Sequence, residues 1–330
     1  MTEDDVVLDV RDLATRLGPP DSGVRAVDGV SLKLRRGRTT ALVGESGCGK
    51  SATALSIMRL IERPGAIVGG EIHYGGRDLV RIDETAMRRL RGARLAMVFQ
   101  DPLHALNPAL RVGTQIAETI LAHEAIGAAA ATDRVVELLR RVGIDQPERR
   151  ARDYPHHFSG GMRQRVLIAA AIACSPDIVI ADEPTTALDV TVQATILRLL
   201  HDLQRAMGAS LLLITHDLGV VASLADEVLV MYAGRVVERA DVDTLFHAPM
   251  HPYTKALLAC ILSVEDDRSV PLEPIGGAPP SLRDPPPGCR FAPRCPVAEP
   301  VCQQREPRLA TLAPGHDVRC WVAEREAARG

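Results

Sequence analysis

The sequence lacks a long apolar run and a strong charge of either sign. Its longest apolar stretches, residues 166–174 and 211–215, fall far short of the roughly 20 residues that a helix needs to span a bilayer. The net charge of −3 leaves no basic field, which argues against nucleic acid as the main partner. Residues 1–5 are acidic and lack an apolar secretory core, so we expect no signal peptide. These absences favour a soluble, intracellular protein, and 330 residues suffice for more than one domain.

A glycine-rich segment at residues 44–51 fits the pattern G-x-x-x-x-G-K-[ST] and follows an apolar run. Glycines let the backbone wrap closely around phosphates, so that successive N–H groups and the start of the next helix face the anionic oxygens. Lys50 adds a positive charge for the terminal phosphates, and Ser51 offers a hydroxyl to Mg²⁺. The segment predicts a nucleoside triphosphate site formed by Gly44, Glu45, Ser46, Gly47, Cys48, Gly49, Lys50, Ser51 and Ala52.

Two adjacent carboxylates end a β-branched run at residues 178–183, which is typical of a buried strand delivering acids to its carboxyl edge. Asp182 is suited to hold Mg²⁺ through water. Glu183 is suited to orient or deprotonate the water that attacks the γ-phosphate. A strand that ends in a solvated turn gives the same pattern, so the acidic pair gains meaning only together with the glycine-rich segment.

Between these motifs, Phe158 precedes the run Ser159, Gly160, Gly161 and Met162, and with this run the chain resembles ABC-type ATPase subunits. In that family the Ser-Gly-Gly signature opens a helix whose N-terminus faces the γ-phosphate of an ATP held by the glycine loop of a second subunit, and backbone amides there suit an anion. The sequence departs from the common form L-S-G-G-Q at Phe158 and Met162, but the backbone donors and Ser159 remain. Taken alone, Ser159 is an ordinary helix N-cap.

The resemblance extends to three single residues in the family's order. It implies that Gln100 contacts Mg²⁺ or the attacking water, that Asp189 lies near the seam between two ATPase subunits, and that His216 binds the γ-phosphate. The family also stacks adenine on an aromatic residue upstream of the glycine loop. Here its counterpart is Leu17 or Val24, so we expect weak adenine recognition.

The resemblance implies an α/β fold with a RecA-like P-loop ATPase core, an antiparallel β subdomain and a helical subdomain that carries the signature. Residues 104–174 are rich in Ala, Arg and Glu and look mainly helical, whereas strands and helices alternate over residues 178–231. Proline and glycine increase after about residue 266. We therefore expect an ATPase domain at residues 1–265, with its helical subdomain at about 104–174, and a loop-rich extension at residues 266–330.

The segment His251, Pro252 and Tyr253, together with the cysteine-bearing tail, resembles the C-terminal region of ATPase subunits from oligopeptide and dipeptide importers. With this region the resemblance covers almost the whole chain. It implies an ATP-hydrolysing subunit that energises peptide import at the cytoplasmic face of the membrane. Its partners would be two integral-membrane permeases, a second ATPase subunit that is either another copy or a homologous chain, and indirectly an extracytoplasmic solute-binding protein.

Two other functions stay open. Relatives of the peptide importers carry metal chelates, sugars or other small solutes. In this class the binding protein and the permeases, not the ATPase subunit, recognise the solute. ABC ATPases without membrane partners work in translation or on DNA. The latter commonly have two cassettes or a long coiled-coil insertion, and this chain has one cassette and no sustained heptads.

Four of the seven cysteines cluster in the tail, namely Cys289, Cys295, Cys302 and Cys320. Clustering in an otherwise cysteine-poor cytosolic chain favours a metal site over disulfides, and four thiolates suit either Zn²⁺ or a 4Fe-4S cluster. The spacing lacks the paired C-x2-C knuckles usual for structural zinc. Because the corresponding cysteines of related peptide-importer ATPases are associated with a 4Fe-4S cluster, we expect that cluster first, with zinc and unligated thiols as the two alternatives.

Overall fold

The computed structural model describes residues 5–186, 188–260 and 275–329. In these residues the strands are β1 Val6–Leu17, β2 Val24–Arg35, β3 Thr39–Val43, β4 Ala66–Tyr74, β5 Arg77–Asp78, β6 Leu95–Val98, β7 Ile178–Asp182, β8 Ser210–Thr215, β9 Glu227–Tyr232, β10 Arg235–Asp241, β11 Ala310–Ala313 and β12 His316–Val318. The helices are α1 Lys50–Ile57, α2 Glu84–Leu90, α3 Pro102–Ala105, α4 Val112–His123, α5 Ala128–Arg141, α6 Pro147–Arg150, α7 Gly160–Ala171, α8 Val190–Met207, α9 Leu218–Leu224, α10 Val242–His247, α11 Pro252–Ala259, α12 Pro300–Gln304 and α13 Trp321–Ala327.

The internal contacts of the chain divide it into two compact units. The first unit contains the described parts of residues 1–8, 34–39 and 81–214. Its parallel strands β6, β7 and β8 pair in that order, with Leu95 opposite Ile178 and Ile178 opposite Ser210. Strands β7 and β8 are buried along their whole length, as expected for parallel strands covered on both faces. Helices α4, α5 and α7 of this unit pack against one another.

The second unit contains the described parts of residues 9–33, 40–80 and 215–330. Strand β3 pairs in parallel with β9, β9 pairs antiparallel with β10, and the sheet continues through β12 to β11. A four-stranded sheet of order β2-β1-β4-β5 is the predicted β subdomain, and β4 and β5 in it are antiparallel. Both the mixed α/β class and this sheet agree with the predicted fold.

The tail, residues 275–329, contains more regular structure than its composition predicts. Strand β12 adds to the edge of β10, with Val318 opposite Glu238, and β11 pairs with β12. Phe291 is buried with Tyr232 and Tyr253 in the core of the second unit. The tail is therefore continuous with a sheet and a core of this unit, although the predicted boundary near residue 265 lies outside the described residues.

Helix α8, the longest helix of the described residues, has 18 residues and an amphipathic surface. Over the described ranges, no helix combines the length and the apolar character that crossing a membrane requires.

Candidate nucleotide-binding site

The phosphate loop, residues 44–51, joins the buried strand β3 to helix α1. At two positions of the loop, the surrounding atoms leave no room for a side chain. Gly44 has φ +150° and Gly49 has φ +109°, and a Cβ atom would overlap the carbonyl oxygen of Met231 at the first position and that of Ala26 at the second. A side chain at either place would displace the loop, which explains why the sequence has glycine there.

Lys50 is the first residue of α1 and is only 5% exposed. Its Nζ donates hydrogen bonds to the carbonyl oxygens of Gly44, at 2.8 Å, and Glu45, at 3.0 Å. The ammonium group therefore lies across the loop, at the position from which it can bind a terminal phosphate. Ser51 follows in the first turn, and Gly49 at the N-cap gives α1 no side-chain cap. Uncapped helix N–H groups beside a lysine suit a polyanion.

In the first unit, the structure brings together two of the predicted site residues. Gln100 Nε2 donates a hydrogen bond to Glu183 Oε2 at 2.9 Å, and Thr186 Oγ1 donates to the same oxygen at 3.0 Å. Glu183 has φ +44°, a conformation that is costly for a residue with a side chain and that persists only where its surroundings hold it. Asp182 ends β7 and is 5% exposed. Two side chains thus fix the carboxylate that follows the buried strand.

The signature residues form the exposed start of α7. Ser159 is the N-cap, and its Oγ accepts a hydrogen bond from Met162 N at 3.3 Å. A Cβ atom at Gly161 would lie 2.6 Å from Val192 Cγ1, so glycine lets α7 approach α8 closely. Asp189 caps α8, since its Oδ1 accepts from Val192 N at 3.0 Å. The helix-cap role of Ser159 is thereby confirmed.

Two further predicted positions lie in the second unit. His216 follows β8 and is exposed. Leu17, one of the two candidates for the adenine platform, is 38% exposed, and Val24, the other, is half-buried at the start of β2. Leu17 thus offers an aliphatic surface at the end of β1 in place of an aromatic ring.

The four tail cysteines come together. Cys289, Cys295, Cys302 and Cys320 line one small pocket, which also includes Phe291 and His251. Burial raises the pKa of the Cys289 thiol to about 11, with a contribution from the neighbouring thiols, and burial also raises the pKa of Cys295 and of Cys320.

The metal prediction for these cysteines is not supported by the described residues. Among the described residues, no group of three or more His, Cys, Asp or Glu side chains is placed to hold a metal ion. The four thiols line one pocket, and burial favours the neutral form of Cys289, Cys295 and Cys320. The structure therefore supports neither the 4Fe-4S cluster nor the zinc alternative.

Two contacts to the phosphate loop were missed by the sequence analysis. Tyr253 Oη accepts a hydrogen bond from Glu45 N at 2.9 Å, and Arg294 forms an ion pair with the Glu45 carboxylate. The segment around Tyr253 was recognised only as a family motif, and nothing in the local pattern connects residues that are 208 and 249 positions apart.

Comparison with known proteins agrees with this geometry. Residues 27–186 match the family described as ABC transporter, and residues 237–302 match the oligopeptide/dipeptide transporter, C-terminal region. A probable peptide ABC transporter ATP-binding protein of Sinorhizobium fredii is 52% identical, covering 96% of this chain and 95% of that protein. A dipeptide transport ATP-binding protein of Bacillus subtilis is 48% identical, covering 97% and 96%.

Solved structures show the same cassette. A dimeric ATP-binding cassette in a post-hydrolysis state, bound to ADP and phosphate, aligns with a TM-score of 0.64 and 25% identity over 71% of this chain and 98% of that one. A cassette of a Clostridium perfringens ABC transporter complex aligns with a TM-score of 0.63 and 26% identity over 74% and 92%. The chain belongs to the ABC transporter family, in the group of ATP-binding proteins that carry the oligopeptide/dipeptide transporter C-terminal region.

Proposed function

We propose that this chain hydrolyses ATP to energise the import of di- or oligopeptides through a membrane transporter. The observation that carries the proposal is the phosphate loop, with buried Lys50 folded across it at the start of α1. Support for a peptide cargo comes from the names of the relatives, which match this chain over 96% and 97% of its length.

In this proposal the residues of the nucleotide site take the roles that the family pattern gives them. Lys50 and the first N–H groups of α1 bind the terminal phosphates of ATP. Ser51 would ligate Mg²⁺, Asp182 would hold it through water, and Gln100 would contact Mg²⁺ or the attacking water. When bound, the metal ion neutralises charge on the β- and γ-phosphates.

For hydrolysis, Glu183 orients or deprotonates the attacking water. Its carboxylate is already fixed by Gln100 and Thr186, so little reorganisation is needed when the water arrives. His216 binds the γ-phosphate. These assignments follow the family pattern and are open to test residue by residue.

A second ATPase subunit completes each site in this proposal. The exposed start of α7, with Ser159, Gly160, Gly161 and Met162, presents backbone N–H groups to the ATP of the partner subunit. Asp189 then lies near the seam between the subunits. The partner is a second copy or a homologous chain. Closure around two nucleotides moves two permeases at the cytoplasmic face of the membrane, and hydrolysis resets them.

Glu183→Gln tests the catalytic assignment. The variant is expected to bind ATP as the parent does and to lose most of its turnover, on the order of a hundredfold or more. Glu137→Gln, an exposed glutamate of α5, is the matched control and should hydrolyse ATP at the parental rate. Parental turnover in Glu183→Gln would show that another group activates the water.

The transport role is tested with the same variant. Tagged Glu183→Gln protein, purified from solubilised native membranes with ATP and Mg²⁺, is expected to bring down two multi-span permeases and a second ATPase subunit or copy. Recovery of ribosomes or DNA-repair proteins instead would support the non-transport alternative. Uptake assays with labelled peptides, metal chelates and sugars then separate a peptide cargo from other small solutes.

The iron–sulfur cluster stays a prediction outside this proposed function. Iron and sulfide analysis with an absorption spectrum, on anaerobically purified full-length protein, tests it directly. Stoichiometric iron and sulfide would show that the tail holds the cluster, and zinc without iron would favour the zinc alternative.

A further inference from the structure

The tail reaches the phosphate loop through one side chain. Arg294 donates from Nη1 to Glu45 Oε2 at 2.7 Å and from Nη2 to Glu45 Oε1 at 3.0 Å. The two parallel hydrogen bonds form the fork that arginine makes with a carboxylate. The Arg294 side chain is 3% exposed and that of Glu45 is 26% exposed, so the pair is shielded from water far more than a surface ion pair.

Arg294 is also held on its other sides by the second unit. Its Nε donates to the Gly276 carbonyl oxygen at 2.8 Å, Nη2 donates to Ile275 O at 3.2 Å, and Nη1 donates to Tyr232 Oη at 3.2 Å. The guanidinium lies 5.8 Å from the centre of the Tyr232 ring. With its donors directed in this way, the guanidinium is fixed before it meets Glu45 and loses little freedom in binding it.

Glu45 is fixed at three points. Arg294 holds its carboxylate, Tyr253 Oη accepts from its N–H, and Lys50 Nζ donates to its carbonyl oxygen. Tyr253 is in turn packed against Tyr232 and Phe291, with ring centres 4.6 and 5.4 Å away. The second residue of the phosphate loop is therefore anchored to a rigid aromatic cluster to which the tail contributes Phe291.

The charge of Glu45 makes this anchor matter for ligand binding. A carboxylate in a loop that receives a polyphosphate repels it, and the repulsion grows where water is partly excluded. Arg294 neutralises that charge and keeps both carboxylate oxygens engaged. The hydrogen bond from Glu45 correspondingly raises the pKa of Arg294, so the guanidinium is charged at every accessible pH.

We propose that Arg294 is a positioning residue for ATP binding, through which the tail sets the affinity of the phosphate loop. It neutralises Glu45 and holds the loop in the conformation that receives the phosphates, without touching the nucleotide. The inference rests on the proposed ATP-binding role of the loop, and it gives the cysteine-bearing tail a direct mechanical connection to that role.

The test compares Arg294→Gln with Arg294→Gln/Glu45→Gln in the full-length protein. ATP and Mg²⁺ binding is measured by titration calorimetry, KM and kcat by phosphate release, and the melting temperature without nucleotide. Arg294→Gln should raise Kd and KM roughly tenfold while kcat changes less than about twofold. The double variant should recover most of the lost affinity, because the unpaired carboxylate is gone, although its melting temperature stays as low as that of the single variant.

Controls separate positioning from simple loss of fold. Arg325 pairs with Glu299 elsewhere in the tail, where the two side chains are 44% and 32% exposed, and Arg325→Gln should leave ATP affinity unchanged. Arg294→Lys keeps the charge but not the fork and should fall between the parent and Arg294→Gln. If Arg294→Gln does not fold, Arg294→Lys replaces it as the test variant.

Unchanged affinity in Arg294→Gln, an Arg294→Lys affinity no better than that of Arg294→Gln, or a double variant as weak as the single one would each overturn the proposal. A parent protein that fails to bind ATP would instead overturn the proposed function.

Discussion

The phosphate loop keeps its shape through backbone geometry, whereas the tail keeps its place through side-chain pairs with distant parts of the chain. Gly44 and Gly49 fit only because they lack a side chain. In the tail, Arg290 pairs with Asp28 across 262 positions and His316 with Glu238 across 78. A ligand site formed by the backbone can be recognised from a few consecutive residues. The long-range contacts that hold such a site in place cannot be recognised in this way.

The pairs that hold the tail are buried, and each of their carboxylates accepts several hydrogen bonds. Glu238 is fully buried, and its carboxylate accepts hydrogen bonds from Met250 N at 2.6 Å, His251 N at 3.1 Å and His316 Nε2 at 2.7 Å. Asp28 is paired with Arg235 and Arg290. Burial raises the pKa of this carboxyl, but the two arginines outweigh burial and lower it overall. A buried charge with all its partners in place is tolerated, and removal of any partner is costly.

The largest effect should come from the aromatic cluster that joins the two regions. Phe291 is 1% exposed and packs against Tyr232 and Tyr253, so Phe291→Ala is expected to lower the free energy of unfolding by about 4 kcal/mol. Denaturant unfolding followed by circular dichroism measures it. Val297→Ala, at a tail residue 48% exposed, should cost less than about 0.5 kcal/mol. An equal loss of unfolding free energy in the two variants would mean that Phe291 contributes no more to the core than an exposed tail residue does.

The second-largest effect is expected in ATP binding by the phosphate loop. Lys50→Ala removes the ammonium group that bridges the Gly44 and Glu45 carbonyl oxygens and should weaken ATP binding on the order of a hundredfold. Equilibrium titration with ATP and Mg²⁺ gives the change in Kd. The exposed Lys255 supplies the control, since Lys255→Ala should bind as the parent does. A loss of less than threefold in Lys50→Ala would contradict a role for Lys50 in phosphate binding.

A smaller effect concerns stability against pH. The pKa of His251 is lowered to about 3 in the folded protein, mainly by burial; a backbone hydrogen bond with Arg319 raises it, and the charges of Arg319 and Lys255 lower it. Between pH 6.5 and 3 the unfolded chain therefore binds a proton that the folded chain does not, and stability falls as the pH falls. From pH 7 to pH 5 this group should account for a loss of about 2 kcal/mol.

Substitution separates His251 from other titrating groups. His251 Nδ1 accepts a hydrogen bond from Tyr253 N at 3.0 Å, and asparagine can accept at the same helix N-cap without titrating. His251→Asn should therefore flatten the pH dependence of the free energy of unfolding over this range. His104→Asn, at a histidine whose side chain is 90% exposed, should leave it as in the parent. An unchanged slope in His251→Asn would assign the acid sensitivity to other groups.

Much of the fold follows from patterns that act locally. The sequence predicts helices at residues 190–207 and 218–224 and a strand at 210–215, and the structure has α8, α9 and β8 with these bounds. The sequence predicts strands at residues 6–10 and 30–34, and β1 and β2 extend beyond these bounds into parts where charged residues interrupt the alternation. Strands β11 and β12 were not predicted, since they are three or four residues long and depend on pairing with β10, about 80 positions away.

The candidate site divides in the same way. The phosphate loop, the acidic pair and the signature are consecutive residues whose spacing encodes their backbone conformation. The anchor between Arg294 and Glu45 depends on two segments that meet only in the folded chain. The metal expectation came from the clustering of four cysteines and from the family resemblance, and neither shows whether the folded chain places the four thiols as ligands.

The smallest expected effect tests a motif residue that combines both kinds of interaction. Ser159 is part of the signature, yet its Oγ also caps α7 by accepting from Met162 N. Ser159→Ala should lower the free energy of unfolding by about 1 kcal/mol or less, since the 3.3 Å bond is long. Ser281→Ala, at an exposed tail serine that accepts from Arg283 N in a local turn, should change stability by no more than a few tenths of a kcal/mol. If ATP turnover in Ser159→Ala falls by more than the loss of cap stability explains, the hydroxyl contributes to the ligand as well as to the helix. If turnover and stability are both parental, the signature acts through its backbone donors alone.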